Sequence, residues 1–233
     1  MSEQESLEVF GLKFQPMTPQ EEKDMIEREQ QAEIKRKREK LLEHYRSDKS
    51  GVPERYKDES LDTYMPWCPD ADNALKKVCE FTKAKGAKTL ILCGPPGVGK
   101  SHLGCGAIRE CGGIYRTILR LLYEVDGTMS FKAHETKIQL LDRYCYTPLL
   151  VLDEIGRTNV RNDAQLELVS YIIGERYANN RKSLLITPYT KEVFCKWIGL
   201  SLFDRLCEVG ETVSFSCDSY RPIKKEVEKG KNE

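Results

Sequence analysis

The sequence predicts an α/β sandwich built around a parallel sheet. Short apolar runs of buried-strand length alternate with segments of helical apolar spacing. A glycine-rich turn joins the first core strand to the helix after it. The chain has 233 residues, 39% of them hydrophobic. That suffices for one good-sized domain with an appendage and is too little for two large domains.

Residues 1–17 read as irregular. From Thr18 to about Tyr45 the chain turns charged, with Thr18 and Glu21 placed for a capping box and Pro19 at the first helical position. Acidic residues dominate the front of this helix. Lys35, Arg36, Lys37, Arg38 and Lys40 crowd the back, which suits the helix dipole. Apolar residues are sparse, so the stretch is either a solvated arm or a helix that docks on a partner. Ser, Asp, Gly and Pro across residues 47–53 mark a domain boundary.

Beyond it, Ala71, Leu75, Val78, Cys79 and Thr82 give an amphipathic helix ending near Gly86. Residues 89–93 (TLILC) have the make-up of a buried parallel strand, and a helix runs on to about Cys111. Further strands are expected at 113–118, 149–152 and 183–187. A helix with Leu166, Val169, Ile173 and Tyr177 on one face lies between the last two. Residues 194–207 read as helical, 212–216 as a short strand and 224 onward as a charged, fraying tail.

Basic and acidic residues balance at 37 each, so a whole-molecule field for nucleic acid is excluded and any such surface must be local. The nine cysteines show no zinc spacing and read as small buried hydrophobes in a reducing cytosol. The N-terminus is polar and unlike a signal peptide. No apolar run approaches the roughly 20 residues of a membrane span. The expectation is a soluble, cytoplasmic protein with no membrane partner.

Residues 94–101 read GPPGVGKS and fit the phosphate-binding loop pattern at every position, between a strand and a helix as that loop requires. Gly94, Pro95, Pro96, Gly97, Val98 and Gly99 would wrap the phosphates, with backbone N–H groups and the helix dipole facing the charge and His102 just beyond. Lys100 would reach the β- and γ-phosphates, and Ser101 would place its hydroxyl on Mg²⁺. Residues 149–154 (LLVLDE) end a buried strand in two acids, which is costly unless a cation or water meets them. Asp153 would hold the metal through water and Glu154 would polarise the attacking water. The expected cofactors are therefore ATP and Mg²⁺, and a Glu beside the Asp favours hydrolysis over transfer to a small metabolite.

Four further segments make the sequence similar to the DnaC/IstB family of AAA+ ATPases. They are residues 51–64 (GVPERYKDESLDTY), 175–182 (ERYANNRK), 203–207 (FDRLC) and 215–221 (FSCDSYR). With the phosphate loop and the Asp-Glu strand, the resemblance covers roughly residues 51–222. It implies an AAA+ ATPase domain there, after a partner-binding arm at 1–50 and before a charged tail at 223–233. By the same resemblance Arg205 matches an arginine finger that completes a neighbouring subunit's site. Arg221 matches a second arginine that reads the γ-phosphate within its own subunit. From the residues alone each is an arginine in a mixed segment.

The sequence departs from the family at one place. Tyr189 stands where the family usually ends the fourth strand with an Asn that orients the lytic water. That predicts slow hydrolysis.

The resemblance is closest to DnaC-type loaders and implies a replicative helicase and single-stranded DNA as partners, with self-association through the ATPase interface. Arg116, Arg120, Lys132, Arg157 and Arg161 lie at loop and strand ends suited to phosphate contact, or are ordinary solvated charge. Tyr115 and Phe131 read as core or half-exposed aromatics, and His102 as packed. The alternatives are an IstB-like helper of a transposase, a small-metabolite phosphotransferase, and a nucleotide-dependent binding module without useful hydrolysis.

Overall fold

The computed structural model describes residues 7–9, 12–14, 17–86, 88–131, 133–156 and 163–223, the first two stretches by their backbone alone. Lys132, Arg157, Arg161 and the tail from 224 lie outside these residues. The chain divides into two compact units, 1–42 and 43–233.

In the first unit, strands β1 (Leu7–Val9) and β2 (Leu12–Phe14) pair antiparallel, where sequence alone suggested irregular chain. Helix α1 (Pro19–Arg46) begins as expected. The Thr18 hydroxyl accepts from the Glu21 N–H at 3.3 Å, and the Glu21 carboxylate accepts from the Thr18 N–H at 2.8 Å. Met25, Ile26 and Ile34 are exposed, so this stretch of helix carries no buried apolar face.

The second unit holds the sandwich. After the end of α1 come α2 (Pro69–Lys83), β3 (Thr89–Cys93), α3 (Lys100–Cys111), β4 (Ile114–Thr117), α4 (Ile118–Gly127), α5 (Lys137–Tyr146) and β5 (Leu149–Asp153). Then follow α6 (Asp163–Ala178), β6 (Lys182–Thr187), α7 (Lys191–Ile198), α8 (Leu200–Glu208) and β7 (Gly210–Ser214). Five strands form one all-parallel sheet in the order β4-β5-β6-β3-β7. Every residue of β3 and β5 is buried, as expected of strands covered on both faces.

Four sequence expectations are corrected. Helices α4 and α5 fill an interval that sequence left without helices; each starts on a threonine cap, Thr117 and Thr136, and Thr136 forms a capping box with Gln139. The single helix expected at 194–207 is two, broken at Gly199 with φ 90°. The last strand begins two residues earlier than expected, at Gly210. The buried face of α6 holds the expected Val169 and Ile173, but Leu168 and Ile172 join them with polar Gln165 and Arg176 at its ends, while Leu166 packs half-buried beside it and Tyr177 turns its hydroxyl to Glu208.

Cysteine use also differs. Cys93, Cys105 and Cys145 are buried and free, as expected. Cys68 and Cys217 instead form a disulfide, with Cα atoms 6.7 Å apart. They meet because Cys68 is the N-cap of α2, and Asp70 in its first turn accepts from the backbone N–H of Ser216 at 2.7 Å and its hydroxyl at 2.6 Å. No helix among the described residues is long and apolar enough to cross a membrane.

Candidate nucleotide site

The loop between β3 and α3 is shaped by close approach. Gly97 and Gly99 have φ of 88° and 90°, where an L side chain is strained. A Cβ on Gly99 would lie 2.7 Å from the Tyr64 ring, and one on Gly97 would strike Ser219. The cradle thus admits only a bare backbone at both positions. The Tyr64 hydroxyl donates to the Val98 carbonyl at 3.2 Å, and the Tyr220 N–H donates to the Gly97 carbonyl at 3.0 Å.

Lys100 opens α3 and is 7% exposed. Its ammonium donates to the carbonyls of Gly94 and Pro95, both at 2.7 Å. Among the described residues it makes no ion pair with a carboxylate. Burial lowers its pKa to about 8, against the opposing pull of Asp153. A desolvated cation held by loop carbonyls at a helix N-terminus is suited to a polyphosphate, which would supply the missing counter-charge.

Asp153 ends β5 and is 3% exposed. Oδ2 accepts from the Ser101 hydroxyl at 2.6 Å and the Tyr115 hydroxyl at 2.5 Å; Oδ1 accepts from the Glu154 N–H at 2.6 Å. Burial, with Asp153 beside it, pushes the Tyr115 phenol far above its usual range, so it is the donor. No cluster of three or more His, Cys, Asp or Glu suited to a metal occurs among the described residues. Ser101 and Asp153 fit Mg²⁺, an ion that takes few protein ligands and completes its shell with phosphate and water. Glu154 follows in a left-handed conformation, φ 61°, a strain of about 1 kcal/mol or more that redirects the chain where the acid is needed.

A cavity of about 630 Å³ brings the sequence-predicted residues together: Gly97, Gly99, Lys100, Ser101, Asp153 and Glu154 line it. Pro96, His102 and Arg221 line it as well. Gly94, Pro95 and Val98 form the loop beneath, with Val98 buried. His102 is packed as expected, its Nε2 lying 2.8 Å from the Ser60 carbonyl.

Arg221 reaches the cavity because its segment is fastened along its length. The Phe215 N–H donates to the Cys93 carbonyl at 2.8 Å, Asp70 holds Ser216, and Trp67 packs on Tyr220 at 4.8 Å. Arg205, exposed on α8, is not among the residues lining this cavity.

Sequence reasoning missed Tyr115, read as an ordinary aromatic but bonded to Asp153 from behind, and missed Arg55, Tyr56 and Glu59, which line the cavity. Only Tyr115's position one strand over from the acids could have signalled it. Tyr189 does not face the cavity; its hydroxyl donates to the Gly156 carbonyl, while Ile186 and Pro188 form the wall. Arg116 and Arg120 both pair with Glu124 at 3.1 Å, and the Arg116 side chain is only 11% exposed. Phe131, expected to be core or half-exposed, stands wholly in solvent.

A glycine loop that buries a lysine beside a Ser–Asp pair, at the carboxyl ends of interior strands of a five-stranded parallel sheet, defines a P-loop nucleotide-binding protein of the AAA+ fold. The model of the IstB-like ATP-binding proteins matches residues 23–228, and the chain belongs to that family. A curated relative, the putative ATP-binding protein of insertion sequence IS21 from Pseudomonas aeruginosa, is 26% identical over 145 residues, 58% of this chain and 53% of its own. The chain therefore spans about half the length of that relative. Among solved structures, the DnaC helicase loader is similar with a TM-score of 0.62 and 25% identity, over 70% of this chain and 100% of that one. AMPPCP-bound DnaA from Aquifex aeolicus is similar with a TM-score of 0.61 and 18% identity, over 76% of this chain and 56% of that one.

Proposed function

We propose that this protein is an ATP- and Mg²⁺-dependent AAA+ ATPase that assembles beside copies of itself and assists a DNA-processing enzyme, a transposase in the first instance. The observation that carries the ATPase reading is the buried Lys100 beside the Ser101–Asp153 pair, with Arg221 on the same cavity. Mg²⁺ would neutralise charge on the β- and γ-phosphates. Lys100 and the loop N–H groups bind the phosphates, Ser101 and Asp153 hold the metal, and Glu154 orients and deprotonates water. Arg221 reads the γ-phosphate in its own subunit. Arg205 would act on a neighbour's site, consistent with its exposed place on α8 outside its own cavity.

The IstB-like family and the insertion-sequence relative favour a transposase over the helicase expected from sequence. Helicase loading remains a second reading, supported by 25% identity to DnaC over the whole of that chain. Single-stranded DNA fits the exposed Phe131 as a stacking platform better than it fits Arg116 and Arg120, which Glu124 already engages.

The test is capture of a cognate IS21-type transposase and of a hexameric replicative helicase on the full chain and on a chain lacking residues 1–42, the first compact unit, with ATP present. ATP-dependent retention of the transposase alone supports the first reading. Retention of the helicase alone replaces it with the second.

Turnover is expected to be slow, because the β6 end directs Tyr189 to Gly156 rather than toward the phosphates. Tyr189→Asn should raise steady-state hydrolysis about tenfold by restoring a group that orients water. An unchanged rate would remove this explanation.

A further inference from the structure

We propose that Tyr115 is a positioning residue for the divalent-cation site, fixing the Asp153 carboxylate so that the Ser101 hydroxyl can turn a lone pair to the metal. The inference rests on the ATP–Mg²⁺ reading above and adds a residue on a different strand from the motif acids.

A serine that ligates a cation must send its proton elsewhere. Asp153 Oδ2, 2.6 Å from Ser101 Oγ, is the acceptor in place for it. That service depends on the carboxylate not rotating, and rotation about its terminal torsion is intrinsically broad. The Glu154 N–H holds Oδ1 from the main chain. Among the described residues Oδ2 accepts one further hydrogen bond, from the Tyr115 hydroxyl at 2.5 Å.

The sheet supplies this contact. Thr117 on β4 lies opposite Asp153 on β5, and Tyr115 is two residues earlier on the same face. Its ring is 3% exposed and packed, so the hydroxyl is delivered by a rigid element. Two hydroxyl protons on Oδ2 also leave that oxygen little capacity to bind a metal directly, which suits an acid acting through water.

Tyr115→Phe removes one oxygen and keeps the ring. Binding of a fluorescent ATP analogue is to be titrated with Mg²⁺ and repeated in EDTA. The Mg²⁺ concentration for half-maximal enhancement should rise about tenfold, the effect of one hydrogen bond to a charged group, with EDTA binding unchanged. In an Asp153→Asn background the same substitution should add nothing, since Tyr115 acts through Asp153.

An unmoved Mg²⁺ midpoint overturns the proposal. So does an equal loss with and without metal, or full additivity with Asp153→Asn; each would make Tyr115 a packing residue. A wild-type protein whose nucleotide binding ignores Mg²⁺ would instead sink the ATP–Mg²⁺ reading itself.

Discussion

Lys100→Met should weaken ATP-analogue binding by about 100-fold while making the nucleotide-free protein more stable. The first half follows from removing a charge-assisted hydrogen bond to phosphate, worth roughly 3 kcal/mol, which is about 150-fold in a dissociation constant. The second half follows from burial. The ammonium is 7% exposed and rests on two carbonyls, and desolvation has moved its pKa from 10.5 to about 8. At neutral pH the fold therefore holds a charge it disfavours, and methionine removes that cost. Of the two carbonyls it frees, the one on exposed Pro95 is open to water, so the loss on the acceptor side is smaller than the several carbonyls gathered by Arg176 would suffer.

The sign of the pH dependence is fixed by the same shift. Between about pH 8 and 10.5 the unfolded chain binds the proton more tightly than the folded one. Stability of the nucleotide-free protein should rise through that window, and the rise should be missing in Lys100→Met. ATP affinity should fall above about pH 8 as the free protein loses the ammonium. Thermal unfolding at pH 7 and pH 9.5, with and without nucleotide, reads all three effects. A Lys100→Met protein less stable than wild type at pH 7 would refute the buried-charge account.

The parts of this molecule that were legible in sequence are those where local chemistry leaves little choice. GPPGVGKS needs glycine at 97 and 99 because Ser219 and Tyr64 leave no room for a side chain. LLVLDE needs an apolar strand because β5 lies inside a sheet covered on both faces. What escaped reading depends on partners distant in sequence. Tyr115 looks like any strand aromatic until β4 is laid against β5. Arg205 and Arg221 were assigned only through resemblance, and only Arg221 meets the cavity of its own chain. Helix α4 is hard to read because it starts at Ile118 directly on the end of β4, with Thr117 serving as both last strand residue and cap, so no turn separates strand from helix. On α6, Val169 and Ile173 are legible, whereas Leu168 and Ile172 are not, because a helix that buries Gln165 and Arg176 interrupts its own apolar periodicity.

Arg176 carries the other large expected effect, and it lies outside the nucleotide site. It is fully buried, and no ion pair with a carboxylate is found for it among the described residues. Nη1 donates to the carbonyls of Tyr144 at 2.7 Å, Cys145 at 3.1 Å and Thr147 at 2.9 Å. Nη2 donates to Pro148 at 3.4 Å and to Lys182, and Nε donates to the Ser183 hydroxyl at 3.0 Å. One guanidinium thus gathers the end of α5, the turn into β5 and the start of β6. The Tyr144 and Cys145 carbonyls belong to the last turn of α5, which lacks helical partners and carries the negative end of the helix dipole. Burial lowers the Arg176 pKa to about 9, so it stays charged at neutral pH.

A buried ion pair can often be replaced by apolar groups because both partners can be changed together. That route is closed here, because the acceptors are main-chain carbonyls. Arg176→Met should therefore cost about 3–5 kcal/mol, several orphaned acceptors at roughly 1–3 kcal/mol each less what relaxation recovers. For a domain of this size that is a fall in Tm of about 10 °C. Arg176→Lys should recover only a small part, since one ammonium cannot span acceptors on three segments that the planar fork reaches at once. Denaturant and thermal unfolding of the two variants, without nucleotide, measure this. A methionine variant within 1 kcal/mol of wild type would mean that the carbonyls find water or one another, and that the arginine is not what joins α5 to the strands carrying Asp153 and Thr187.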